Sequence, residues 1–177
     1  MIFSNIVGSF LEGKGVDTYL KAIEKINCLE CEFDLVGKEG VDKKYNKLIN
    51  ELITDRVVAK GFIDDMLSYY KKIDVVVLTS RTQDALPTVL IEALSQGKIL
   101  IATNVGGVSE IVDDSFGNII IPSNNDKLLQ QAILEVVSYS QEKIELIKKK
   151  NIEIARKKFS LDRQIERIEN IYYEVLK

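Results

Sequence analysis

The sequence contains no histidine and only two cysteines among its 177 residues. Without histidine there is no Ser-His-Asp triad, no Cys-His pair, no histidine metal ligand and no imidazole general base. Carboxylates, lysines, backbone dipoles or residues on another chain must carry any chemistry. A basic surplus is also lacking. Lys+Arg number 24 against Asp+Glu 27, for a net charge of −3, which argues against a general nucleic-acid binder, since such proteins carry a dominant basic face. No apolar run reaches the ~20 residues of a membrane span, and no signal peptide is read at the start of the chain. The cysteines form Cys28-Leu29-Glu30-Cys31. A zinc site wants four ligands. A redox pair usually follows a strand and opens a helix, whereas this one closes a helical pattern and leads into a strand. Coincidental spacing is the expectation, with a redox pair as the alternative, and a reduced, cytoplasmic protein is the default.

What is present suits a globular domain. Hydrophobic residues make up 46% and charged residues 29%, and a chain of this length buries roughly 70% of its unfolded surface. Short apolar β-rich runs alternate with amphipathic stretches. Strands are expected at 2–7, 31–36, 56–60, 74–79, 98–103 and 118–121, and helices at 16–26, 43–53, 64–72, 88–96 and 108–113. A helical tail follows at 126–138, 142–157 and 161–176. This order implies an α/β fold: a doubly wound, Rossmann-like parallel sheet of six strands with helices on both faces. Val75–Leu78 and Ile99–Ala102 are apolar on both faces, as buried parallel strands should be. No linker or repeat interrupts the chain, so residues 1–177 read as one domain.

Ligands of such sheets sit beyond the carboxyl ends of the strands. Those ends carry Gly8-Ser9, Gly37-Lys38, Gly61-Phe62, Ser80 to Asp84, and Asn104-Val105-Gly106-Gly107. Glycine there lets backbone approach a ligand. Pro87 fits the start of a helix, so the N–H groups of Thr88, Val89 and Leu90 are expected to lack helical partners and to form an anion site suited to a diphosphate. Glu92 stands among Val89, Leu90, Ile91, Ala93 and Leu94. Such an apolar helix should be buried, and a buried unpaired carboxylate costs several kcal/mol, on the order of its desolvation penalty. Two hydroxyls of a ribose would satisfy it; an ion pair with a nearby Lys or Arg is the alternative.

Lys14, between Gly13 and Gly15 after the first strand, can place its ammonium over a phosphate. On spacing alone it is also compatible with a solvated charge. The segment is a near miss to G-x-x-x-x-G-K-[ST], because Gly15 has no hydroxyl to hold Mg²⁺.

These segments resemble the C-terminal, nucleotide-sugar-binding domain of retaining GT-B glycosyltransferases of family 4, the glycosyl transferases group 1. The resemblance rests on Gly8-x5-Lys14-Gly15-x-Asp17, Leu35-Val36-Gly37, Val57 to Phe62, Asp84-Ala85-x-Pro87-x4-Glu92-Ala93, and Gly97-x-x-Leu100-Ile101-Ala102-x-x-Val105-Gly106-Gly107-x-x-Glu110. It implies half of a GT-B fold that transfers a sugar, with retention, from a nucleoside-diphosphate sugar to a hydroxyl of a glycan, polysaccharide or lipid-linked acceptor. Lys14 would contact the donor diphosphate, assisted by backbone near Leu86, Thr88, Val89 and Leu90. Glu92 would bind the ribose and Asp84 the transferred sugar, so Lys14, Asp84 and Glu92 form the implied catalytic set. Gly8 would border the donor, and Gly37, Gly61 and Phe62 the nucleobase. Neither metal nor cofactor is implied. The chain departs from the pattern at Ser9 (usually arginine), Asp84 (usually glutamate) and Ala85 (commonly glycine).

The resemblance also implies a partner, an N-terminal acceptor-binding domain absent from this sequence. Residues 160–177 would pack toward it, and the chain alone would be inactive. Seven basic residues between Lys143 and Lys158 read as a solvated helical face. The alternative is weak peripheral contact with the inner face of a membrane. Two other functions compete: a nucleotide-sugar 2-epimerase half, and a non-catalytic nucleotide-binding or scaffold domain.

Overall fold

The structure, a computed structural model, describes residues 1–82 and 85–176. Six strands form one parallel sheet: β1 (Ile2–Phe10), β2 (Glu32–Glu39), β3 (Val57–Gly61), β4 (Val75–Leu78), β5 (Ile99–Thr103) and β6 (Ile119–Ile121). Their order, β3-β2-β1-β4-β5-β6, is the doubly wound order expected from the alternation of elements. Eight helices accompany it among the described residues: α1 (Val16–Glu24), α2 (Lys43–Leu52), α3 (Met66–Tyr70), α4 (Thr88–Ser95), α5 (Val108–Ile111), α6 (Asp126–Val137), α7 (Gln141–Phe159) and α8 (Leu161–Val175).

Period-two alternation divides the core into two layers. Phe3, Val75, Val77, Ile99 and Ile101 pack with α1, α2 and α6. Ile6, Val76, Leu78, Leu100 and Ala102 pack with α3, α4 and α5. The longest helix, α7, spans both layers, placing Ile147 in the first and Ala155 in the second. Buried asparagines hold it there. Asn151 donates to the Lys98 carbonyl (2.7 Å) and pairs with Asn118, which accepts from the Leu100 N–H. That anchor grips the amino ends of β5 and β6 and leaves the carboxyl edge of the sheet open.

Two expectations need correction. The first strand was expected to end at Val7 and the second at Val36, but pairing between β1 and β2 continues to Phe10 and Glu39. A register shift between Ile6 and Ser9 inserts one extra residue into β1, a bulge of the kind that locally re-aims a strand. Gly8 sits on that bulge rather than in a loop. The cysteine spacing is not idle either. Cys28 and Cys31 are joined as a disulfide, because the turn at Leu29–Glu30 brings their Cα atoms to 5.4 Å, within bridging range. The bridge precedes β2, at the opposite end of that strand from Gly37.

Candidate functional site

At the topological switch point between β1 and β4, the carboxyl edge of the sheet opens into a cavity of about 420 Å³. The floor is Ile6, Val36 and Leu78, apolar residues of the neighbouring strands β1, β2 and β4. Gly8, Lys14, Gly37, Phe62, Pro87, Thr88, Val89 and Glu92 rise around it, with Ile63, Asp64, Met66 and Tyr70 closing the β3 side. Seven residues singled out in the sequence are thus brought to one place: Gly8, Lys14, Gly37, Phe62, Thr88, Val89 and Glu92. Asp84 lies outside the described residues. Gly61 (φ 66°) aims Phe62 at the cavity from outside its wall, and Leu86 is exposed but does not line it.

Lys14 belongs to a loop latched to the far side of the switch point. A short 3-10 turn (Glu12–Lys14) ends at Gly15, whose φ of 64° is left-handed. A Cβ on Gly15 would fall 2.1 Å from the Thr79 carbonyl oxygen, so glycine is required twice over, by backbone angle and by space. The Gly13 carbonyl accepts from the Arg81 N–H (2.7 Å), and the Lys14 carbonyl accepts from Thr79 Oγ1 (3.0 Å). Beneath the loop the Arg81 guanidinium reaches both oxygens of buried Asp17 at 2.7 Å and Thr18 Oγ1 at 2.9 Å. Tyr45 and Lys21 also donate to Asp17. Burial works to raise the Asp17 pKa, but the hydrogen bonds from Arg81, Lys21 and Tyr45 outweigh it and hold the carboxyl below its ordinary value.

The α4 terminus faces the same cavity. Pro87 caps the helix without a side-chain hydrogen bond. Among the described residues the Thr88 and Val89 N–H groups have no acceptor, so they and the helix dipole are available to an anion. Leu90 differs from expectation. Its N–H is taken by the Pro87 carbonyl (3.0 Å) in a tight first turn, and its side chain is fully buried in the core. Among the described residues this terminus therefore offers two free donors rather than the three expected. On the other side, a Cβ on Gly107 would meet the Ala85 carbonyl oxygen at 2.2 Å; the glycine lets the loop after β5 close against the loop leading into α4.

Glu92 also needs correction. It was expected to be buried among its apolar neighbours, but Leu90, Ala93 and Leu94 turn into the core while Glu92 is exposed at the cavity. One helical turn from Thr88, it shares that residue's face. Among the described residues no cation pairs with it. Instead the Tyr70 hydroxyl donates to Glu92 Oε2 at 3.0 Å, with the Val89 carbonyl 3.3 Å away. Tyr70 is 2% exposed, and burial together with the Glu92 charge raises its pKa above the ordinary value, so it stays a donor. Arg81 and Tyr70 were both missed in the sequence. Each acts across the fold, on a residue 64 or 22 positions away, and neither stands in a local pattern.

At the β3 side, Phe62 is 63% exposed and Lys38 Nζ lies 5.6 Å from its ring centroid. Away from the cavity, α8 packs lightly. Ile165, Ile168, Ile171, Tyr172 and Val175 are all exposed. In the basic run, Lys150 and Lys157 pair with Glu153, and Lys143 Nζ sits 3.4 Å from the Tyr139 ring centroid. No helix among the described residues is long and apolar enough to cross a membrane.

Comparison with known proteins converges on one group. The family model described as glycosyl transferases group 1 matches residues 2–157. An uncharacterized glycosyltransferase of Methanocaldococcus jannaschii is 29% identical over 175 residues, 98% of this chain and 48% of that protein. A glycosyltransferase structure from Rickettsia africae superposes with a TM-score of 0.91 at 22% identity, covering 99% of this chain and 48% of the other. Anabaena HepE, solved with UDP and glucose, gives 0.87 at 20% identity over 97% of this chain and 48% of its own. The chain spans about half the length of these relatives.

Proposed function

The chain belongs to the glycosyl transferases group 1 family, and from that premise we propose that it is the donor-holding half of a retaining glycosyltransferase. It takes a nucleoside-diphosphate sugar and works with an acceptor-binding domain that this sequence does not contain. The observation that carries this reading is the convergence of Lys14, the two free N–H groups of α4 and Glu92 on one cavity at the switch point. A cation and a helix terminus suit a diphosphate, and an exposed carboxylate suits a ribose diol.

In the reaction proposed, the bond from the sugar's anomeric carbon to the donor phosphate oxygen breaks. A bond from the acceptor oxygen to that carbon forms on the same face. The acceptor's proton passes to the leaving phosphate oxygen, so the absence of histidine from this half is no obstacle. Lys14 and the Thr88 and Val89 N–H groups stabilise the charge that develops on the departing nucleoside diphosphate. Glu92 fixes the ribose, Asp84 takes the hydroxyls of the transferred sugar, and Gly37, Gly61 and Phe62 border the base. The other half of the active site belongs to the acceptor domain, toward which the apolar stripe of α8 is directed. The chain alone binds donor and does not turn it over.

Calorimetric titration of UDP-, GDP- and ADP-sugars tests this, with Glu92→Ala and Lys14→Ala as companions. One donor should bind, and both substitutions should weaken it. Binding by none, or binding indifferent to both changes, returns the chain to the scaffold reading. Robust transfer by the chain alone contradicts the division of labour.

A further inference from the structure

Tyr69 and Tyr70 are adjacent on α3 and serve different parts of the molecule. The Tyr69 hydroxyl turns under the sheet, donating to buried Asp34 Oδ2 at 2.7 Å, with Ser4 Oγ 2.8 Å away and Lys60 3.4 Å from the other Asp34 oxygen. This buried cluster ties α3 to three strands. Tyr70 lines the cavity and holds Glu92. The two contacts form a chain from the sheet interior through a five-residue helix to the one carboxylate on the cavity face of α4.

We propose that Tyr70 is a positioning residue that holds the Glu92 carboxylate toward a ribose, and so sets the preference of this cavity for ribonucleotides over 2′-deoxyribonucleotides. This rests on the donor-site reading of the cavity. An exposed glutamate samples many rotamers, and ordering it on binding carries an entropic cost. Tyr70 has two side-chain torsions and is held by its own burial in the core layer that contains Leu90, Ala93 and Leu94, so it presents a fixed donor. Its single hydrogen goes to Oε2, the nearer and charged acceptor, rather than to the Val89 carbonyl. Glu92 Oε1 and the remaining lone pairs stay open to a diol. Losing the Tyr70 hydroxyl frees the carboxylate without removing it, and selectivity for the 2′-hydroxyl falls while diphosphate binding remains.

The test is a set of titrations of UDP, GDP and ADP, each against its 2′-deoxy counterpart, on the parent chain and on Tyr70→Phe, Tyr69→Phe and Glu92→Gln, with thermal midpoints recorded. The parent is expected to favour the ribonucleotide by about tenfold, the scale of one hydrogen bond to a charged group. Tyr70→Phe should lose most of that ratio while keeping the parent's affinity for the deoxy form. Tyr69→Phe should lower the midpoint and leave the ratio intact. A ratio lost in Glu92→Gln but unchanged in Tyr70→Phe overturns the inference and leaves the donor site standing. A parent that binds no nucleoside diphosphate overturns the donor-site reading and this inference with it, whereas a parent that binds the ribo and deoxy forms equally overturns the inference alone.

Discussion

The two ends of the cavity are built to different standards. At the Lys14 end, backbone from two loops interlocks. Gly13 and Lys14 carbonyls are held from Arg81 and Thr79, Gly15 admits no side chain, and a buried carboxylate ties the base of the loop to a guanidinium. At the Phe62 end, an exposed ring stands on a glycine with a lysine nearby, and no comparable lattice of hydrogen bonds ties it down among the described residues. A diphosphate is the same in every nucleotide sugar and rewards a rigid cradle. The base differs between donors, and a looser wall can change without disturbing the cradle.

The strongest way to break that contrast is to unlatch the rigid end. Arg81→Ala leaves a buried Asp17 with its main partner gone, a change worth about 3 kcal/mol. The thermal midpoint should fall by on the order of 10 °C for a domain of this size. Gly15→Ala should be comparably damaging, since left-handed backbone and a steric overlap add. Phe62→Ala should leave the midpoint within a degree or two of the parent.

Next in size is Lys14→Ala, expected to weaken nucleoside-diphosphate binding about 30-fold, or about 2 kcal/mol, through loss of a charge-assisted contact. Phe62→Ala should cost about fivefold in the same titration and alter the order of preference among UDP, GDP and ADP, an effect Lys14→Ala should not have. The smallest effect is on pH dependence. The Asp17 pKa is depressed in the fold below its ordinary 3.8, so its contribution is present above that value and is lost as pH falls through the folded value. The midpoint gap between the parent and Arg81→Ala should therefore be widest near about pH 6 and narrow toward about pH 3.

The contrast also explains what could be read from residues alone. Alternating apolar runs give a doubly wound sheet by period, Pro87 marks the start of α4, and a lysine between glycines marks a loop that reaches the cavity. All of these are local patterns. Tyr70 and Arg81 act on Glu92 and Asp17 across the fold, so nothing in their own neighbourhoods announces them. Asp17 belongs to the quoted Lys14-Gly15-x-Asp17 segment, yet only the packed structure assigns it the brace. Two expectations about α4 failed for reasons of geometry. Glu92 has apolar neighbours in sequence but stands on the opposite face from the buried ones, and the tight first turn takes up the Leu90 N–H. The turn that brings Cys28 to Cys31 likewise depends on how α1 gives way to β2, which spacing does not report.

The central claim is that the α4 terminus and the Lys14 loop together hold a diphosphate. Amide-resolved NMR of the labelled chain during titration with UDP measures this at the atoms concerned. The Thr88 and Val89 amide protons should move downfield as UDP saturates, with a much smaller response in Lys14→Ala and none along α8. UDP that binds while leaving the Thr88 and Val89 amides unmoved would contradict the account.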